Sequence, residues 1–79
     1  MTFKLSIISP DKVLWNGEAE SLIAPGAEGE LTVLSSHEPL MTTLKAGKLF
    51  VRGEKETPKE IAIDGGVLEV SRNQATVLL

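Results

Sequence analysis

An all-β fold, a flattened β-barrel or two-sheet β-sandwich of about eight to ten short strands, is what this sequence predicts. Three observations carry the prediction. Breakers recur at short intervals (Pro10, Asn16-Gly17, Pro25-Gly26, Gly29, Pro39, Gly47, Gly53, Pro58, Gly65-Gly66) and leave few stretches long enough for a stable helix. Between the breakers, apolar and polar residues alternate with the period of a half-buried strand. A chain of 79 residues forms one small domain, residues 1–79, that buries about 60% of its surface. Closing its strands into a barrel removes the open edges through which so many strands would aggregate.

Taken in order, Phe3, Leu5 and Ile7 alternate with Lys4 and Ser6, which predicts a strand over 2–9 that Pro10 ends. A second is expected over 12–15 and a third over 18–24. Asn16-Gly17 between them is the strongest local turn signal, because both central residues of a type I′ turn need positive φ. A tight hairpin is therefore expected there. Further strands are expected over 30–34 and over 47–53, where Leu49 and Val51 are flanked by Lys48 and Arg52; Leu40–Leu44 is too short to assign. Ile61 and Ile63 alternate with Glu60, Ala62 and Asp64 in a strand over 59–64. The charged run from Gly53 to Lys59 has nothing to bury and reads as a solvated hairpin loop. Gly65-Gly66 and Arg72-Asn73-Gln74 then punctuate strands over 66–71 and 74–79, with Gly65 and Gly66 read as a tight strand turn.

Composition narrows the function. Eight basic against 11 acidic residues leave a net charge of −3. With no basic run, and only Phe3, Trp15 and Phe50 available to stack on bases, nucleic acid is disfavoured as a partner. Without cysteine there is no disulfide, and the single histidine, His37, makes a zinc cluster implausible. No apolar stretch reaches the 18 or so residues of a membrane span, and no signal-peptide core follows the N-terminus, so a soluble, cytoplasmic chain without a direct membrane span is expected.

The sequence presents no catalytic apparatus. His37 lies in Ser35-Ser36-His37-Glu38-Pro39, whereas triads assemble groups from separate elements, so a loop imidazole bonded to backbone or touching a partner is the favoured reading. The pairs Glu18/Glu20 and Glu28/Glu30 lack the ligand series of a calcium loop and read as solvated or partner-facing acids. Gly65-Gly66 has neither the following Lys-Ser/Thr nor the helix of a phosphate cradle. Trp15 reads equally as an interface anchor or a core cap, and Met41 as core filler or an adaptable contact. The residues alone describe a small acidic β-module that binds another protein, with no cofactor.

The order of its motifs goes further. Leu5 to Pro10 with Asp11-Lys12-Val13, then Gly17 to Gly26 (GEAESLIAPG), then Glu28 to Leu34 (EGELTVL), then His37 to Gly47 (HEPLMTTLKAG), then Gly65 to Val70 running into Thr76-Val77-Leu78, together resemble the N-terminal domain of the ε subunits of rotary ATP synthases. The resemblance covers essentially the whole chain. It implies a flattened barrel in a non-catalytic central-stalk subunit that passes ion-driven rotation of the membrane c-ring to the γ subunit, and so to ATP synthesis at sites on other subunits. The partners it implies are γ and the c-ring. The place it implies is the cytoplasmic face of the inner or plasma membrane, or its organellar equivalent, as a peripheral protein.

By the same resemblance, Glu28, Gly29, Glu30 and His37 correspond to c-ring-facing loops, and Ser9, Met41, Thr42 and Thr43 to the γ-facing surface. The family commonly continues into a C-terminal helical hairpin that can inhibit hydrolysis and, in some members, bind ATP; this sequence ends with the barrel at Thr76-Val77-Leu78-Leu79, so those properties are not carried over. A naturally short ε subunit and an isolated barrel read alike. The alternative from composition alone is a free-standing barrel that binds an oligonucleotide or carbohydrate, as small barrels do, against which the acidic balance and scarce aromatics argue.

Overall fold

The computed structural model describes residues 1–54 and 57–79. Six strands follow one another: β1 (Phe3–Ile8), β2 (Val13–Gly26), β3 (Gly29–Val33), β4 (Leu40–Gly53), β5 (Lys59–Ser71) and β6 (Gln74–Leu78). Five of them close in the order β1-β6-β5-β4-β2, with β2 returning to β1, and β3 is added along the C-terminal half of β2. The pairing of β1 with β6 is parallel and every other pairing antiparallel. Extents of 28 × 24 × 19 Å make the barrel flattened, as expected.

The strands are fewer and longer than the breakers suggested, because three of them run through a corner. β2, β4 and β5 span 14, 14 and 13 residues, and each changes the parity of its buried residues once. In β2 the inward series Trp15, Gly17, Ala19 gives way to Leu22, Ala24, Gly26. In β4, Leu44 gives way to Leu49 and Val51; in β5, Ile63 gives way to Leu68 and Val70. A strand that passes from one sheet of a sandwich to the other must turn its other face inward at the corner, through a bulge or a bend.

In β2 the device is a bulge, since Ala19 and Ser21 face consecutive residues Gly53 and Arg52 of β4 and leave Glu20 as the extra residue. In β4 and β5 the mutual register is unbroken from Leu40↔Val70 to Val51↔Lys59, so the two bend together. At the bend β4 leaves β2 between Phe50 and Leu44, and Pro25, which has no N–H to offer a ladder, sits on β2 at that interruption.

At two of the expected turns the chain runs on as strand. Asn16 and Gly17 do not form a hairpin. They lie inside β2, paired with Ser6 and Leu5 of β1. A hairpin there would have joined arms of about three residues, whereas the straight run forms a six-pair ladder with β1 and buries Trp15 and Ala19. A Cβ on Gly17 would touch the Trp15 indole at 3.4 Å, and Asn16 accepts a hydrogen bond from the Ser6 hydroxyl at 3.1 Å. Gly65 and Gly66 likewise form no turn between strands but the bend within β5, with φ of 144° and 155°. The positive-φ pair of a tight hairpin occurs instead at Arg72 and Asn73 (39° and 51°), between the paired residues Ser71 and Gln74. The stretch 40–44, too short to assign by pattern, is the start of β4. Of the charged hairpin between β4 and β5, Lys55 and Glu56 lie outside the described residues.

Inside, Phe3, Leu5 and Ile7 of β1 meet Trp15, Leu22, Leu49, Leu68 and Val77 in a single core cluster. Among the described residues no polar or charged side chain is buried. Trp15 is 7% exposed, which assigns it to the core rather than to a surface anchor.

Candidate functional site

Among the described residues the interior holds only apolar side chains, so what they offer to other molecules is on the outside. Among the described residues no group of three His, Asp or Glu side chains stands close enough to hold a metal ion. No helix among the described residues is long and apolar enough to cross a membrane.

The acidic group is built by the β2–β3 hairpin. Gly26 and Gly29 pair across the two-residue turn Ala27-Glu28, which projects Glu28 into solvent. Gly29 has a φ of 137° with open space where a Cβ would lie, so glycine serves the backbone there and not a close contact. Gly29 and Glu30 open β3 and do not continue the loop. The Ala27 amide donates to the Thr43 carbonyl at 2.9 Å, which ties this acidic tip to β4.

From Thr43 a row of outward-facing residues crosses the barrel. Thr43 pairs with Val67, Val67 with Leu78, Leu78 with Ile8, and Ile8 with Val13. Val13 is 59% exposed, Leu78 50% and Val67 37%, and Met41, two residues from Thr43 on the same face, is 69% exposed. A lone exposed apolar residue is ordinary; a connected row across four strands of a domain this small marks an interaction surface. Ser9 sits at the end of this row, its hydroxyl donating to the Lys12 carbonyl at 3.1 Å within the β1–β2 turn.

The fold thus brings Thr43, with Met41 on the same face, beside the hairpin of Glu28 and Glu30, and places Ser9 at the opposite end of the row, about 14 Å from Thr43 across three strand spacings of ~4.8 Å. It separates two of the other residues singled out by resemblance. Thr42 is half-buried at the inward parity of Leu44 and faces away from Met41 and Thr43. His37 follows the far end of β3, about 16 Å from the acidic tip at ~3.3 Å per residue. There its amide donates to the Leu34 carbonyl at 3.2 Å and its Nδ1 lies 2.7 Å from the Glu38 carbonyl oxygen, which places a proton on Nδ1 because a carbonyl only accepts. A partner touching both the acidic tip and His37 would have to lie along β3.

Sequence reading missed Ile8, Val13, Val67 and Leu78. Their signal was present as apolar residues on both parities of a strand, in Ile7-Ile8, Val67-Leu68 and Val77-Leu78, where a one-sided core needs only one parity.

Comparison with known proteins gives consistent findings. The family model for the β-sandwich domain of the ATP synthase delta/epsilon chain matches residues 2–79. The chain is 43% identical over 79 residues to the ATP synthase epsilon chain of Gloeothece citriformis, covering 100% of this chain and 56% of the relative. To that of Leptospira borgpetersenii it is 45% identical over 75 residues, covering 94% of this chain and 58% of the relative. The chain therefore spans a little over half the length of the curated relatives it matches. Among solved structures, a chain of the Euglena gracilis mitochondrial ATP synthase superposes with a TM-score of 0.90 at 23% identity, over 98% of this chain and 49% of that one. A chain from the central stalk and c-ring of the Tetrahymena thermophila mitochondrial ATP synthase superposes at 0.82 and 18% identity, over 95% and 60%. At these identities the two structural likenesses speak for the fold.

Proposed function

Because the chain belongs to the ATP synthase delta/epsilon-chain family, whose β-sandwich domain it matches over residues 2–79, we propose that it is a non-catalytic rotor component of an F-type ATP synthase, coupling c-ring rotation to the γ subunit. The observation that carries this reading is the connected apolar row of Val13, Ile8, Leu78 and Val67, which Thr43 links to the acidic tip, with Met41 exposed on the same face two residues from Thr43. The row supplies an apolar surface for γ, with Ser9 and Thr43 at its margin. Glu28 and Glu30 supply charge for basic groups on the ring's polar loops. Such rim charges set register and association rate more than affinity. His37 joins the ring contact only if that contact extends along β3, and Thr42 supports Leu44 and does not contact γ itself. The assembly stands at the membrane face bearing the catalytic head, the cytoplasmic face in bacteria, with catalysis on other subunits.

Rotation demands stiffness, and a closed barrel supplies it, since each of its five strands has a hydrogen-bonded partner on either side along part of its length. The test is binding of the Met41→Asp, Val67→Asp variant to a cognate γ subunit. Both residues are exposed, so the melting temperature should stay near that of the parent while affinity falls roughly tenfold or more. Undiminished binding overturns the assignment of this surface. For the acidic tip, Glu28→Lys with Glu30→Lys should lower proton pumping by the reconstituted complex without affecting the fold, and unchanged pumping overturns the ring assignment.

A further inference from the structure

The far end of the barrel carries a second arrangement, on a residue that no resemblance singled out. Asn73, in the positive-φ turn between β5 and β6, accepts a hydrogen bond from the Ser36 amide through Oδ1 at 2.9 Å and donates one from Nδ2 to the Thr2 carbonyl at 2.8 Å. Its own carbonyl accepts from the Lys4 amide at 3.0 Å. One residue thus joins the β5–β6 turn, the N-terminal strand and the loop that carries His37, across 37 and 71 positions of sequence.

Ser36 is itself held at a φ of 62°, a left-handed conformation that a serine adopts at a cost and keeps only where its surroundings enforce it. The loop's own bond, from the His37 amide to the Leu34 carbonyl, spans three residues. From outside the loop, the Asn73 side chain holds the Ser36 amide. We propose that Asn73 is a positioning residue, a latch that holds the Leu34–Pro39 loop in a strained shape and so sets how His37 is presented at this end of the barrel.

That His37 meets a partner rests on the coupling reading above; the latch itself is a property of the free chain, and its test is made there. Asn73→Gly keeps the left-handed turn, which glycine adopts freely, and removes both side-chain bonds. The Ser36 amide should then exchange with water about fivefold faster, the equivalent of one net hydrogen bond, while amides in the β5–β6 ladder keep their rates and so report an intact fold. Asn73→Asp keeps the oxygen that Ser36 uses and replaces the donor to Thr2 with an oxygen that the Thr2 carbonyl repels, so Ser36 exchange should rise less than in Asn73→Gly. Asn73→Gly should also shift the His37 ring resonances, and adding Ser36→Gly, which relieves the strain, should return them toward their parent positions. Unchanged Ser36 exchange in Asn73→Gly, or loss of protection in Asn73→Asp equal to that in Asn73→Gly, overturns the latch. Neither result bears on γ binding, so the coupling reading fails or stands separately.

Discussion

Glycines at which the backbone leaves the ordinary L-residue regions divide into two kinds, and the division predicts different costs. Gly66 combines a φ of 155° with a neighbour, since a Cβ there would stand 2.5 Å from the Leu78 carbonyl oxygen, on the backbone of β6. Gly29 has a φ of 137° and open space. Gly66→Ala therefore pays twice, in conformational strain and in displaced backbone, and should destabilise by about 2–3 kcal/mol, whereas Gly29→Ala should cost about 1. Urea denaturation with an unchanged m-value measures both; equal costs at the two sites would show that the approach of β6 to Gly66 is not tight. The doublet Gly65-Gly66 was legible as a place needing glycine. Its role as a bend and not a turn was not, because the carbonyl that excludes a side chain belongs to a strand a dozen residues away.

At the scale of the strand, parity is the decisive quantity. Trp15 and Ala19 face the core on one side of Glu20, and Leu22 and Ala24 on the other, at opposite parity. Glu20 is the extra residue that lets both sets point inward. Deleting it should turn one set outward and abolish cooperative unfolding, because a one-residue slip moves every side chain beyond it to the other face. Replacing it by Ala, which keeps the count, should change stability by about 0.5 kcal/mol or less. A deletion variant that still melts cooperatively near the parent temperature would show that β2 can shed its bulge. Alternation in β1 was readable because that strand serves one sheet. In β2, β4 and β5 the pattern was readable on each side of the corner but not across it, so each long strand looked like two short ones.

For the whole molecule, apolar burial and chain ordering are each on the order of 100 kcal/mol in a domain of this size and nearly cancel. No disulfide adds to the balance, since the chain has no cysteine. A partner that binds the folded barrel alone should add about 2.7 kcal/mol at a hundredfold excess over its Kd. Under the proposed function, adding γ should accordingly raise the melting temperature, and less so for the Met41→Asp, Val67→Asp variant. A melting temperature that does not move with γ would count against assembly through the apolar row.

The all-β class, the net acidic charge and the resemblance to a rotary ATP synthase subunit were all determined by the sequence alone. Composition, period and motif order are properties of the chain read along its length. The tertiary structure decided which turns were real, where each strand changes sheet, that Thr43 lies beside the Glu28 tip with Ser9 across the row from it, and that the loop carrying His37 stands apart, bonded to Asn73. Each of these depends on a pairing between residues distant in sequence. A local signal such as Asn16-Gly17 is worth less than the ladder with β1 and the core that its straight path completes.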